Sequence, residues 1–270
     1  MSTPLADRPL YLQAVGIAGP GMPDWPTAAA ILRGERAYEA SILPPYRPNL
    51  LPPNERRRAS RAVCAAFQVA EQAVQDCDAS QLATVFSSAD GDQYITERIC
   101  RALNTPERML SPTDFHHSVH NAPAGNWSIA VGAQGPATAV AAWHWGFAAA
   151  LAEAACMVLA EQRATLLIAY DLQTPEFLRP LSLAQQPFAV ALRLSGSAGA
   201  SAMAQLTLAM HAAPETRCTS GPLEALRLCN PAARSLPLLQ AIATRTHGEI
   251  QLDCGADPVR SGLRITLANP

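Results

Sequence analysis

His144 stands between two tryptophans where a predicted strand meets a predicted helix. The small residues Thr138 to Ala142 indicate a buried strand, and an apolar helix is predicted from about His144 to Gln162, with no loop residues between the two. A strand that passes directly into a helix makes a tight corner. The residue there faces helix amides and the positive end of the helix dipole, which stabilise a developing negative charge. The pattern therefore indicates a position for a nucleophile or a base.

Three more histidines, His116, His117 and His120, lie close to Asp114. His116 and His120 are four residues apart, a spacing that lets two imidazoles share one helix face as metal ligands do. The next helix, however, is predicted to begin only at Asn121, and no Glu completes an HExxH pattern. Capping and interface hydrogen bonds are the expected use of these side chains, and we expect no metal and no cofactor.

The composition is that of a globular protein. Of 270 residues, 49% are apolar and 16% are charged, and the net charge is −2. All 20 basic residues are Arg, so chemistry that needs a lysine is excluded, including Schiff-base lysines and phosphate-loop lysines. Without a basic field or a polybasic segment, we expect neither nucleic acid nor a membrane as a partner.

Seven cysteines are scattered along the chain without any CxxC pair. This pattern is typical of reduced, individually buried thiols, and it argues against both a disulfide framework and a zinc site. The N-terminus lacks a charged start followed by a long apolar run, and no stretch approaches the roughly 18–20 apolar residues of a membrane span. We therefore expect a cytoplasmic protein.

The first half of the chain alternates strands and helices, which predicts an α/β layered fold with a largely parallel sheet. The predicted elements are a strand at 10–18, a helix from Asp24 to about Arg33, a Pro-rich extended loop at 40–53, a long helix capped by Asn54, a strand at 81–89 and a helix at 91–103. Arg56 to Arg58 fall in the first turn of the long helix, where they oppose its dipole. A solvated face is their expected role, and the alternative is a docking patch for an acidic partner.

After about residue 186 the pattern changes. Two strands, PFAVALRLS and AMAQLTLAMH, flank the loop GSAGAS as two antiparallel neighbours would, and a helix is predicted around Leu223 to Thr244. Two short strands, EIQLDC and GLRITLA, follow. Because no repeat and no low-complexity linker divides the chain, residues 1–270 are predicted to form a single domain.

A series of motifs before the corner resembles the β-ketoacyl synthases of the thiolase-like superfamily. The family carries Asn-x-x-Ala-Gly, then Ser or Thr with Ile, then Gly-x-x-Gly-Pro, then a strand that ends in Ala-Cys. The matching residues are Asn121, Ala124-Gly125, Ser128-Ile129, Gly132 and Gly135-Pro136. The resemblance covers residues 10–195, and it implies a thiolase-like layered fold with a strongly reduced second half in the short part at 200–270.

The resemblance breaks down at the residue that carries the family's chemistry. An ungapped extension of the motifs places His144 where the family has its acyl-accepting Cys. Condensation needs a thiolate that holds the acyl chain as a thioester, whereas acyl-imidazoles hydrolyse readily. The chain is also too short to supply the two histidines of the family's second half. We therefore expect no catalytic residue for condensation.

A ketosynthase-like chain without these groups is similar to the chain length factors of the superfamily. More narrowly, it resembles the truncated ketosynthase-like proteins of aryl polyene and xanthomonadin-type pigment clusters, where segments like FHHSVHNAPAG occur. The resemblance implies a heterodimer with a full-length β-ketoacyl synthase and, through that partner, indirect contact with acyl carrier protein. The residues that it places at the acyl pocket or the interface are Asp114, Phe115, His117, Ser118, Thr138, Val140, Trp143 and Trp145.

Two functions remain open at this point. The first is the non-catalytic subunit, and the second is an enzyme that uses His144 for acyl transfer or thioester hydrolysis. Packing in the core is the alternative reading of Trp143 and Trp145. The small-residue strand TAVAA favours the first function, because in this superfamily the strand pairs across the dimer axis and small residues permit close backbone approach.

Overall fold

The computed structural model describes residues 8–255 and 262–270. Within these ranges the strands form an eight-stranded sheet in the order β3-β2-β4-β5-β1-β6-β8-β7. The strands are β1 (Leu10–Ala18), β2 (Ala83–Ser87), β3 (Ala137–Val140), β4 (Thr165–Asp171), β5 (Phe188–Ser195), β6 (Ala204–Met210), β7 (Gly248–Asp253) and β8 (Gly262–Ala268).

The sheet is mixed, so the expectation of a largely parallel sheet is wrong. Only β2 is parallel to its neighbours, β3 and β4, and the other pairs are antiparallel. β5 and β6 are not neighbours as predicted, because β1 lies between them. It pairs with β5 from Tyr11↔Ser195 to Ala18↔Ala189 and with β6 through Leu10 to Leu12. Pairing over such a distance leaves no local signal in the sequence.

Helices cover both faces of the sheet, which gives the predicted layered α/β fold. Those in the described residues are α1 (Trp25–Leu32), α2 (Pro53–Arg58), α3 (Arg61–Ala73), α4 (Gln93–Leu103), α5 (Pro112–His117), α6 (Ala122–Val131), α7 (Gly146–Leu159), α8 (Gly221–Leu228) and α9 (Leu236–Thr244). One core lies between the sheet and α1, α7, α8 and α9, and a second lies under α3 and α6. None of the helices in the described ranges has the length and apolarity that a bilayer crossing requires.

The predicted long helix from Asn54 is two helices. α2 ends at Arg58, Ala59 is extended, and Ser60 caps α3 by accepting a hydrogen bond from the Val63 amide at 3.3 Å. Arg56 to Arg58 therefore occupy the last turn of α2, where positive charge complements the helix dipole, and not the first turn of a long helix. The break has a physical reason: α2 buries no residue, whereas the buried face of α3 starts at Ala62.

The predicted helix at 223–244 is also divided. Asn230 and Pro231 separate α8 from α9, because proline lacks the amide hydrogen that a continuing helix needs. The Asn230 Oδ1 atom accepts hydrogen bonds from the amides of Ala232 and Ala233, which starts a 3-10 turn at 232–235. By contrast, the predictions of β1 and of α1 with its Asp24 cap are confirmed, and Asp24 accepts from the Thr27 amide at 2.8 Å.

Candidate functional site

The corner between β3 and α7 is a single 3-10 turn over Trp143–Trp145. Trp143 has a φ of 50°, in the left-handed region, and its side chain is 57% exposed. The Trp145 amide closes the turn on the Ala142 carbonyl at 2.9 Å. α7 begins at the buried Gly146, where a Cβ atom would lie only 3.0 Å from the Ser87 Oγ atom. A glycine at this position therefore lets α7 start directly over the end of β2.

His144 lies between the two indoles of the corner. Its ring centroid is 6.0 Å from that of Trp143 and 6.4 Å from that of Trp145. Burial, together with the positive charge of Arg234, lowers the pKa of His144, which favours the neutral imidazole. In the part of the chain that the structure describes, no carboxylate or hydroxyl group hydrogen-bonds to this ring. The corner thus holds an imidazole but no relay that would orient it as a base.

A charge network from the C-terminal part of the chain lies near His144. Arg227 is 2% exposed, and its guanidinium contacts Glu215 at 2.8 Å and Glu224 at 2.7 Å. Arg234 reaches the other oxygen of Glu215 at 2.7 Å. Sequence reasoning missed this network. The three-residue spacing of Glu224 and Arg227 could have indicated an ion pair on one helix face. Glu215 and Arg234 come from separate segments, so the sequence gives no indication that they join this pair.

The four predicted pocket residues at 114–118 divide into two pairs on α5 and its C-terminus. Asp114 binds Arg98 of α4, and His117 is 6% exposed with no hydrogen-bond partner for its Nδ1 atom. Burial lowers the pKa of His117. Phe115 is 67% exposed and Ser118 is also exposed. Within this chain, therefore, Asp114 and His117 hold α5 in place, while Phe115 and Ser118 face outward.

The neighbouring histidines do not converge. The His116 ring packs edge-on against that of His117 at 5.1 Å, whereas the His120 Nε2 atom lies 2.9 Å from the Ser88 carbonyl oxygen. Throughout residues 8–255 and 262–270, no three His, Cys, Asp or Glu side chains come together in an arrangement that holds a metal ion. These rings act as contacts within and between segments.

β3 lies at one edge of the sheet. The amides of Thr84 and Ser88 donate to the Pro136 and Val140 carbonyls, so the backbone groups of Ala139 point away from β2. In the described part of the chain, no strand pairs with that outer side. None of the four residues of β3 is buried, including the predicted interface residues Thr138 and Val140, whereas β2 and β4 are buried along their whole lengths. Apolar parallel strands are normally covered on both faces.

A carboxyl group that sequence reasoning did not single out lies at the end of β4, close to the end of β2. Asp171 is buried and accepts hydrogen bonds from the Ala89 amide at 2.7 Å and the Ser88 hydroxyl at 3.0 Å. Burial raises its pKa to about 7 despite these two donors. Because Asp171 is shielded from solvent, its protonation should affect the stability of the fold and not the binding of a ligand.

Several solved structures share this fold. A ketosynthase (ApeO) in complex with its chain length factor (ApeC) from Xenorhabdus doucetiae matches with 22% identity and a TM-score of 0.72, over 95% of this chain and 98% of that chain. The ishigamide ketosynthase/chain length factor matches with 13% identity and a TM-score of 0.67, over 96% and 98%. A β-ketoacyl synthase from Burkholderia phymatum matches with 13% identity and a TM-score of 0.59, over 84% of this chain but 71% of that one.

No curated protein sequence matches the chain. The family model "Beta-ketoacyl synthase, N-terminal domain" matches residues 33–251, which include the corner, β3 and the charge network. The thiolase-like fold that the motifs at 121–136 imply is therefore the observed one. The chain belongs to the β-ketoacyl synthase N-terminal domain family.

Proposed function

We propose that this chain is a non-catalytic ketosynthase-like subunit, a chain length factor, that pairs with an active full-length β-ketoacyl synthase and shapes its acyl pocket. The observation that carries the proposal is the composition of the corner, which holds Trp143, His144 and Trp145 but no thiol. Cys156 is about ten residues further along α7, or about 15 Å from the corner, and it is exposed. It cannot receive an acyl chain at the corner.

The surroundings of His144 support the same proposal. A neutral imidazole without an orienting carboxylate is a weak nucleophile, and its acyl derivative would hydrolyse instead of waiting for a second substrate. In the partnership that we propose, the ketosynthase supplies the cysteine and the histidines and meets the acyl carrier protein. This chain lines part of the acyl pocket and forms the interface with the ketosynthase.

The uncovered β3 strand supports the pairing. An edge strand with free backbone groups and no buried residue is a template for another strand. The surrounding segment has no charged side chain from Ala122 to Ala152, and depletion of charge marks the centre of a permanent interface. We place the strand of the partner ketosynthase on the outer side of β3.

The setting of the proposal follows from the chain's relatives. Two structures that it matches over at least 95% of both chains contain a ketosynthase with a chain length factor, whereas the Burkholderia synthase extends well beyond this chain. The FHHSVHNAPAG segment favours an aryl polyene-type system, in which residues 1–270 act as one ketosynthase-like domain. All seven cysteines are free thiols, which fits a reducing cytoplasm.

Co-expression with the full-length ketosynthase tests the proposal. We expect one heterodimer on a sizing column that buries more than about 2,000 Å², as obligate interfaces do. Ala139→Pro removes an amide that points away from β2, so it should separate the two chains without breaking the β2–β3 ladder. Ala139→Ser keeps that amide and serves as the matched control. Separate elution of the wild-type proteins at micromolar concentration would show that the assignment is wrong.

A further inference from the structure

Trp143 is a large apolar side chain that the fold leaves in solvent. It follows β3 by three residues and precedes α7, and more than half of its surface is exposed. Tryptophan is rarely placed this way in a protein that functions alone, because its ring is a large apolar surface. The other two residues of the turn, His144 and Trp145, are only partly exposed. Of the three side chains in the turn, Trp143 is therefore the one that is mainly exposed to solvent.

The backbone of Trp143 is strained. A φ of 50° is ordinary for glycine, but for a bulky residue it is a genuine outlier. Strain of this kind persists only where the surrounding structure imposes it, and it concentrates at sites that bind or react. Here the turn is fixed by the Trp145 amide on one side and by the buried start of α7 on the other. The fold holds the indole outward at the expense of its own stability.

The segment that contains Trp143 has the composition of an interface centre. Ile129 lies on α6, which contacts β3, and its side chain is exposed. No residue between Ala122 and Ala152 carries a formal charge. Interfaces combine such a charge-poor centre with a few aromatic anchors, and Trp is the residue type most enriched among those anchors.

We propose that Trp143 is the anchor by which this subunit selects and binds its ketosynthase partner. The indole enters an apolar recess of the partner, and its N–H group donates to an acceptor in that recess. Because the turn fixes the backbone at Trp143 before binding, association needs little additional ordering of this loop. This inference rests on the proposed function and adds to it the residue Trp143 and an apolar recess on the ketosynthase that receives it.

The experiment compares four variants in the co-expressed heterodimer. Trp143→Ala and Trp143→Gly both remove the ring, Trp143→Phe keeps an aromatic group, and Met210→Ala is the matched control. Met210 is similarly exposed, but it lies on β6, which four other strands separate from β3. The dissociation constant is measured by analytical ultracentrifugation, and each variant alone is followed by circular dichroism and thermal unfolding.

We expect Trp143→Ala and Trp143→Gly to weaken association at least about 30-fold, Trp143→Phe to recover part of the loss, and Met210→Ala to stay within about twofold. Alone, Trp143→Gly should melt several degrees above Trp143→Ala, because only glycine accepts the left-handed turn without strain.

If the wild type pairs and Trp143→Ala pairs within about threefold of it, the anchor is disproved while the proposed function stands. If Trp143→Gly does not melt above Trp143→Ala, the claim that the backbone of Trp143 is strained is disproved. If the wild type does not pair at all, the proposed function fails and the anchor fails with it.

Discussion

Arg98 and Asp114 form a two-pronged ion pair that fastens α5 to α4, with Nη2–Oδ1 at 2.6 Å and Nε–Oδ2 at 2.9 Å. The hydrogen bonds from Arg98 hold the pKa of Asp114 below its ordinary value. The buried His117 secures the same short helix from the inside. With both inner contacts in place, α5 presents Phe115 to its surroundings in a fixed position.

Phe115→Ala should let the heterodimer make longer products. If Phe115 closes the far end of the partner's acyl pocket, each further methylene of the chain is forced against its ring, and a smaller side chain relieves that contact. The first condensation should stay within about twofold of wild type, because the reacting groups are untouched. Chromatography of the products measures both.

Three companion variants sharpen this test. Ser118→Ala should also lengthen the products, and Arg98→Ala should broaden the distribution by releasing α5. Arg101→Ala should not, because Arg101 pairs with Glu97 within α4. An unchanged distribution for both Phe115→Ala and Ser118→Ala would assign the gate to the catalytic partner.

Incubation of the isolated chain with acyl-carrier-protein thioesters should leave its intact mass unchanged. His144 stands at the corner in place of a thiol, so no stable acyl adduct can form there. Intact mass spectrometry makes the measurement, with an active ketosynthase as the positive control. An acyl increment mapped to His144 or to a cysteine, or thioester turnover that His144→Ala abolishes, would instead support the acyl-transfer or hydrolase function.

Asp171 should make the chain less stable as the pH rises towards 7. Burial raises its pKa from an ordinary 3.8 to about 7, so between these values the folded chain binds a proton that the unfolded chain has released. The contribution of Asp171 to the free energy of unfolding is therefore largest below about pH 4. Above that pH it falls by up to roughly 1.4 kcal/mol per pH unit, and it stays constant above pH 7.

Urea unfolding of wild type and Asp171→Asn from pH 5 to 8 measures this slope. The difference between the two proteins should change up to about pH 7 and stay constant from there to pH 8. Asp76→Asn is the control: the hydrogen bond from Arg193 lowers the pKa of Asp76, so this carboxyl is ionised in both the folded and the unfolded chain from pH 5 to 8 and should add no slope there. Parallel curves for wild type and Asp171→Asn would contradict the assigned titration.

Arg227→Ala should destabilise the fold by about 3–5 kcal/mol, because it leaves the carboxylates of Glu215 and Glu224 without their buried partner. The melting temperature should then fall by about 10 °C. Arg264→Ala is the comparison: its contact with Glu249 is 3.7 Å long and lies at the surface, so a change below about 0.5 kcal/mol is expected. A melting temperature within about 2 °C of wild type for Arg227→Ala would show that the network contributes little.

Local signals account for what the sequence could predict. β1 has an apolar run that ends in Gly-Pro-Gly, α1 has Asp24 as its cap, and the corner before α7 has a small-residue strand followed closely by an apolar helix. Each of these depends on neighbours within a few positions. The motifs at 121–136 then connected the local elements to a known fold.

What the sequence could not predict depends on distant contacts. Nothing near β1 indicates that it separates β5 from β6, and nothing near Arg227 indicates that Glu215 completes its ion pairs. Asn54 and Ser60 are both good caps, and only the burial of Ala62 on the folded sheet decides which of them starts α3. The outward position of Trp143 likewise follows from a turn whose geometry the residue types alone do not fix.

The central place of β1 also determines when the chain can fold on the ribosome. Tyr11 pairs with Ser195, so β1 is synthesised about 180 residues before the strand that pairs with it. At roughly 5–20 residues per second, this interval lasts about 10–40 s, during which an apolar strand has no neighbour. Folding dominated by such distant pairings is slow. Nascent chains should therefore depend on chaperones until β5 has emerged.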